Sequence, residues 1–439
     1  MSFISCPSQV EPSPIDLIIV GCGFAGLACA IESRRKGHNV ILLEKRMSVE
    51  SLGESNVISF ASNTGRLFEK WGLGEQLAEV NTQHPHMTLH NYCGKVINVQ
   101  PLPQRLYGSN SYNGRRGEIH QILLKYAKKI GTDIRFSKDV TGYWEDGERN
   151  KAGVVVDGQR IEADVVVAAD GARSRARKLA LGYEDDAKPS GYAVYRAWFN
   201  SKEQGIDKDP LTDFFYKEGG DFHGWIGKDV HMLAMSFKSG DEFCWVLTHR
   251  DDNDIEESWS FPGKIPDVLS CVEGWDPRCR AIIEKAPSCI DWKLVYREPS
   301  PTWISSGGRI VVIGDAAHPF LPTSMQGASQ GVEDGVALAT ILKCAEKKNV
   351  PLGLQVFEHI RYDRVRRAQR QGISTRDKLH KSPDARAEDE EVALPFPEWL
   401  LNFDAEQNAN DLYEEVKAYI LTEGYKRPSE LIIPCCRSV

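Results

Sequence analysis

The chain has 439 residues, 41% hydrophobic and 26% charged, a balance that supports a packed core and excludes a coiled coil, a collagen-like repeat and a disulfide miniprotein. Its 54 Lys and Arg against 62 Asp and Glu leave a formal charge of -8, which argues against a nucleic-acid partner. The 11 cysteines show no zinc-site spacing, so no metal is expected, and they favour a reducing, cytoplasmic setting.

Residues 1–14 read as a loose, proline-rich leader, and no apolar run has the length and flanks of a membrane-spanning helix. Asp16–Val20 is an apolar strand, Gly21–Gly26 a tight glycine-rich turn, Leu27–Lys36 a helix, and Val40–Leu43 a second strand ending at Glu44. This β-α-β unit carries Gly21, Gly23 and Gly26 in the spacing of a dinucleotide fingerprint. Glu44 follows Gly26 by 18 residues, where a carboxylate can accept bonds from ribose hydroxyls. An acid there argues against an adenosine 2′-phosphate, but the motif alone leaves NAD(H) and FAD open.

Residues 65–80 read as short helices, and Gly117–Lys129 as an amphipathic helix with Ile119, Ile122, Leu123 and Ala127 on one face. Gly131–Phe136, Thr141–Trp144, Gly153–Val156 and Val165–Ala169 read as strands. Residues 191–260 are rich in aromatics and strand formers, with turns at 217–220 and 238–241, and predict an antiparallel sheet. Residues 261–290 read as helical and connecting, Gly308–Ile313 as a buried strand, and 328–345 and 353–375 as helices. A charged loop over 378–391 and a small tail over 395–435 follow, the tail packing on the body or mediating dimer contacts.

Three separated motifs together resemble the FAD-dependent aromatic hydroxylases of the para-hydroxybenzoate and salicylate hydroxylase type, with the feel of fungal secondary-metabolite monooxygenases. The first is the glycine fingerprint. The second runs from Asp164 to Ser174 and contains Asp170 and Gly171. The third is Gly314-Asp315-Ala316-Ala317-His318-Pro319 with Pro322 and Gln326-Gly327. The resemblance spans about residues 16–375 and implies non-covalent FAD as the bound cofactor. It assigns cofactor contacts to Gly21, Gly23, Ala25, Gly26, Glu44, Lys45, Arg116, Asp170, Gly171, Asp315, Pro322, Gln326, Gly327 and Ala328. Arg175 is a candidate to steer the NAD(P)H phosphate. His318, Glu333, Asp334, Glu118 and His120 read as structural or local helix residues. Gly331 and Gly335 stand where alanines are frequent in relatives, and the loop Gly53–Val57 is more polar than usual.

The implied fold is α/β: a doubly wound, Rossmann-like FAD-binding domain, a mostly antiparallel substrate domain and a small helical tail. The expected division places FAD binding in 15–80, 110–185 and 300–375, the substrate domain in 81–109 and 186–299, and the tail in 376–439. The implied activity is monooxygenation with NADPH or NADH and dioxygen, through a flavin C4a-hydroperoxide. The leading reading is hydroxylation, with or without loss of aromaticity, of a bulky phenolic or polyketide-derived ring. Alternatives are indole 2,3-epoxidation in alkaloid biosynthesis, salicylate-like decarboxylative hydroxylation, and a non-catalytic flavoprotein subunit. Arg196, on a strand otherwise apolar, is the first catalytic candidate, either holding a phenolate or forming a buried ion pair. Tyr195, His223 and His231 join it, and Tyr216, Trp225 and Met235 are further pocket candidates. The chain is expected to be a monomer or homodimer.

Overall fold

A computed structural model describes residues 13–48, 57–184, 187–217, 222–251, 261–380 and 392–431. Most of the leader, Gly53–Asn56 of the polar loop, residues 218–220 of one turn and 381–391 of the charged loop lie outside the described residues.

Five parallel strands form the first sheet, in the order Ile310–Val312, Val165–Ala168, Asp16–Val20, Asn39–Leu43, Asp133–Arg135. Its central strands are continuous apolar runs because both faces are covered. Leu17, Ile19 and Val167 point into a core shared with the helices Phe24–Arg35, Arg116–Lys129 and Gly327–Ala345. Ile18, Val20 and Val166 point the other way, onto the antiparallel meander Val140–Asp146, Lys151–Val156, Gln159–Ala163.

The helices Phe24–Arg35 and Gly327–Ala345 cross at very close range. A β-carbon on Gly335 would lie 2.4 Å from the Cys29 amide nitrogen, so this crossing has no room for an alanine. The tail is part of the same body. Ala405, Ala409, Tyr413, Val416 and Ile420 of the helix Ala405–Glu423 complete the core.

The second sheet has eight strands, in the order Phe261–Gly263, Cys289–Tyr296, Lys188–Asn200, Glu242–Arg250, Val230–Phe237, Phe222–Gly227, His86–Asn91, Val96–Pro101. Neighbours are antiparallel except Phe222–Gly227 beside His86–Asn91, which are parallel. Two of these strands correct the sequence reading of 261–290. Helices do form at Ile265–Cys271 and Pro277–Glu284, but Phe261–Gly263 and Cys289–Tyr296 flank them as strands. In the second strand Asp291 and Lys293 are buried, which hides its apolar character.

Strand alternation gives this sheet two distinct faces. The outer face carries Tyr195, Ala197, Trp225, Met232 and Trp245 against the two short helices. The inner face turns toward the first sheet and its loops: Val194 and Leu294 pack with Leu321, and Met235 and Phe237 pack with Val57 and Trp198. Ion pairs tie the two bodies, Arg115 to Glu242 at 2.9 Å and Lys238 to Glu118 at 2.5 Å. Among the described residues, no helix is long and apolar enough to cross a membrane.

Candidate active site

The fingerprint turn is shaped by close backbone approach. Gly21 has φ +104°, and a β-carbon there would sit 2.3 Å from the Ala169 carbonyl oxygen. On Gly26 it would sit 2.0 Å from the Gly21 oxygen, whereas on Gly23 it would meet nothing within 4 Å. Gly23 therefore leaves open space at the amino end of the helix Phe24–Arg35. That helix has no side-chain cap and no acid in its first turn, so its free N–H groups suit a pyrophosphate. Ala25 lies in this first turn. The buried Glu44 carboxylate accepts from the Cys22 amide at 2.9 Å and the Arg46 amide at 3.0 Å, which fixes it beside the turn. Lys45 next to it is exposed.

His120 has more than a local helix role. Burial lowers its pKa to about 4, so the ring is neutral, and Nε2–H donates to the Cys22 carbonyl at 2.6 Å. It braces the fingerprint turn from the helix Arg116–Lys129. At the start of that helix the Arg116 guanidinium lies 5.5 Å from the centre of the Phe24 ring.

The second motif ends the buried strand Val165–Ala168. Asp170 accepts from the Arg175 amide at 2.9 Å through Oδ2, while its Oδ1 is buried without a hydrogen-bond partner. Gly171 takes φ +84° at the turn. Arg175 is exposed and pairs with Asp139. Arg177, which the sequence did not single out, is buried and donates to the Ala172 and Ala316 carbonyls, joining the second and third motifs.

In the third motif, burial raises the Asp315 pKa against the pull of His318, Arg116, Arg177 and Arg297. Pro322–Ser324 form a short turn, Met325 takes φ +50°, and the helix Gly327–Ala345 then begins. Gln326 gives this helix no side-chain cap, and no acid stands in its first turn, so the N–H groups near Gly327 and Ala328 suit an electron-rich ring edge. The unpartnered Asp170 oxygen, the open space at Gly23 and two uncapped helix starts together fit FAD.

Behind this loop lies an ion-pair network. Asp334 accepts from His318 Nε2 at 2.6 Å, the Gly314 amide at 2.9 Å and Arg361 Nε at 2.8 Å. Glu333 takes Arg361 at 2.7 Å, Arg364 at 2.8 Å and Asn63 at 2.7 Å. Arg361 and Arg364 belong to the helix Val350–His380, whose Gly372 carbonyl accepts from Thr323 Oγ1 at 3.0 Å. The acids that read as plain helix residues thus anchor the third motif to the long helix.

A cavity of about 130 Å³ opens between this loop and the inner face of the eight-stranded sheet. Phe60, Phe222, Met235 and Phe237 supply apolar walls, and Met325 and Gln326 border it from the loop. Among the described residues lining it there is no Lys, Arg, Asp or Glu; its polar groups are neutral amides and hydroxyls plus His84. His84 Nε2 donates to the Ser236 carbonyl at 2.9 Å.

Of the sequence candidates for substrate contact, Met235 lines this cavity and Arg196, Tyr195, His223, His231, Tyr216 and Trp225 do not. Tyr195 points to the outer face, stacked on His249 at 4.2 Å. His223 also faces outward, bonded to His90 at 3.0 Å. His231 is sealed against His380 at 2.7 Å and Thr248 at 3.2 Å. Period-two alternation separates Tyr195 from Arg196, which points to the inner face between Val194 and Trp198, 5.4 Å from the Trp292 ring centre. Burial lowers the Arg196 pKa to about 10, so it stays protonated at neutral pH.

The FAD binding domain family matches residues 15–203 and 302–371. The chain is 34% identical to asperlicin C monooxygenase of Petromyces alliaceus, over 95% of this chain and 93% of that protein. It is 32% identical to the FAD-dependent monooxygenase notI of Aspergillus sp. (strain MF297-2), over 94% and 95%. The crystal structure of CtdE in complex with FAD and substrate 4 superposes with a TM-score of 0.86 at 32% identity, covering 93% of this chain and all of that one (100%). These matches extend over both bodies of the fold, and the chain belongs to the FAD-dependent monooxygenases of the aromatic-hydroxylase type, enzymes that bind FAD and use NAD(P)H.

Proposed function

We propose that this monooxygenase oxidises the indole ring of a fungal alkaloid across its 2,3-bond. The observation that carries this reading is the cavity lining, which holds no charged side chain among its described residues. A salicylate would bring a carboxylate into an apolar space with no lining cation, and a phenol reacts best as its anion. Both would bury an uncompensated charge. A neutral indole is electron-rich without losing a proton. The similarity to asperlicin C monooxygenase and to notI, both fungal monooxygenases, supports a fungal metabolite as the substrate.

Bound FAD supplies electron transfer from NAD(P)H and activation of dioxygen. We assign the pyrophosphate to Gly21, Gly23, Ala25 and Gly26, and a ribose to Glu44, with Lys45 at its edge. Arg116, Asp170, Gly171 and Asp315 face the middle of the cofactor. Pro322, Gln326, Gly327 and Ala328 hold the ring edge. The protein's other tasks are to exclude water, through Phe222, Met235 and Phe237, and to orient the ring. Overall, one oxygen atom enters the indole 2,3-bond and the other leaves as water, the two electrons coming from NAD(P)H.

A second reading, phenol hydroxylation, is favoured by Arg196, a cation on the inner face. The test is NAD(P)H oxidation by FAD-loaded enzyme against indoles, phenols and salicylate under ¹⁸O₂. Indole-stimulated turnover with one labelled oxygen in the product is expected. Stimulation by phenols or salicylate alone would overturn the reading.

A further inference from the structure

One wall of the cavity comes from residues 392–401, beyond the end of the family match at residue 371. This strap contributes Leu394, Pro395, Phe396, Leu400 and Leu401 to the lining. It has little regular structure, with the single short helix Glu398–Leu401, and it is fastened by side chains from three distant elements.

At one end, Gln100 grips the Leu394 backbone twice, donating to its carbonyl at 2.8 Å and accepting from its amide at 2.7 Å. Asn98 donates to the Val392 carbonyl at 3.0 Å. At the other end, Arg364 donates to the Trp399 and Leu400 carbonyls at 2.8 and 2.9 Å, and Ser62 donates to the Leu401 carbonyl at 2.9 Å. Arg364 is itself held by the fully buried Glu333. Side chain to backbone bonds fix where the strap runs and leave its own side chains free to shape the cavity. Phe396 lies between the two fastened ends. It lines the cavity yet keeps 37% of its surface exposed, which places it at the mouth.

We infer that the strap selects the outer, non-reacting part of the substrate, with Phe396 as the specificity-determining residue at the cavity mouth. This rests on the cavity being the substrate site proposed above. A mouth residue meets the portion of a substrate remote from the reacting ring, where binding energy tunes selection between ligands of different bulk.

The test uses FAD-loaded wild type, Phe396→Ala and Phe396→Trp. Binding is read from perturbation of the flavin visible spectrum by 3-methylindole and by the cyclic dipeptide of tryptophan and proline. The ratio of the two dissociation constants is expected to change about tenfold or more, in opposite directions in the two variants, with 3-methylindole within about twofold of wild type. A ratio unchanged within about twofold, in variants with full FAD content, overturns the inference. If neither indole perturbs the wild-type spectrum, the indole reading fails by itself, and phenol against a bulky 4-arylphenol supplies the same ratio. If no ligand of either pair binds wild type, the cavity is not the substrate site and the inference falls with it.

Discussion

Asp334 and His318 meet at 2.6 Å with both side chains fully shielded from water. The same carboxylate oxygen accepts from the Gly314 amide, so the pair fixes the entry into the third motif. Breaking a buried pair leaves an uncompensated charge, at a typical cost of about 3–5 kcal/mol. Asp334→Asn should lower the thermal midpoint and the FAD content together. Against the opposing effect of burial, His318 and then Arg361 hold the Asp334 carboxyl below the ordinary carboxylate range, and Arg364 and then Arg361 do the same for Glu333. Groups with depressed folded pKa stabilise above the unfolded value, about 4, and that contribution fades as pH falls below it. Urea unfolding between pH 5 and 3 should show a shallower loss in Asp334→Asn than in wild type. An identical slope would sink this assignment.

The fingerprint glycines separate cofactor binding from folding. Gly26→Ala places a β-carbon 2.0 Å from the Gly21 oxygen and should destabilise the apoprotein as well as lose FAD. Gly23→Ala meets no protein atom within 4 Å. It should keep the apoprotein's thermal midpoint within about 1 °C, since an unstrained change into open space costs little. It should nevertheless purify with at most a tenth of the wild-type flavin absorbance. A fully yellow Gly23→Ala protein would show that the pyrophosphate lies elsewhere.

Much of the fold, and the motifs that frame the candidate cofactor site, are legible because they are written locally. Strand, glycine turn, helix and Glu44 lie within 30 residues of one another, and the strand endings at Asp170 and Asp315 carry their motifs in consecutive positions. What was not legible depends on long-range partners. Glu333 and Asp334 look like helix polars until Arg361 arrives from 27 and 28 residues away. The strap's path depends on Gln100, 294 residues from Leu394, so composition read it as a plain tail. Tyr195 and Arg196 read as joint candidates for one site, yet the fold puts them on opposite faces, and the identity of each face comes from the helices behind the sheet. The strand Cys289–Tyr296 escaped because Asp291 and Lys293 break its apolar pattern, although both are buried in the fold.

Arg196 tests what the inner face contributes besides an apolar wall. It remains charged at neutral pH and lies outside the cavity lining. Besides burial, Arg116, which the resemblance assigns to FAD, is close enough to lower its pKa, and we propose that the Arg196 charge acts on the cofactor side, where it would favour developing negative charge. Arg196→Ala should keep FAD and ligand affinity within about twofold but lower coupled product formation about a hundredfold, roughly the loss of one donor that stabilises developing negative charge. Arg196→Lys should restore part of it. Unchanged product formation in Arg196→Ala would reject the role, and a selective loss of substrate affinity would move it to substrate binding.

The buried histidines make the fold acid-sensitive in a window above the carboxylates. Burial lowers the pKa of His231 to about 3 and of His380 to about 4, and the two rings share a 2.7 Å hydrogen bond that at most one proton can occupy. His90 and His120 are likewise lowered to about 4. In the unfolded chain each would titrate near 6.5. Between about pH 6.5 and 4 the unfolded state therefore binds more protons, and stability must fall as pH drops through that range. His380→Gln removes one of these groups while keeping a donor and acceptor near His231. Its unfolding free energy should depend less steeply on pH between 6.5 and 4.5 than wild type, with the two curves parallel above pH 7.5. Parallel curves throughout would mean that His380 takes up its proton at the same pH in the folded protein as in the unfolded chain.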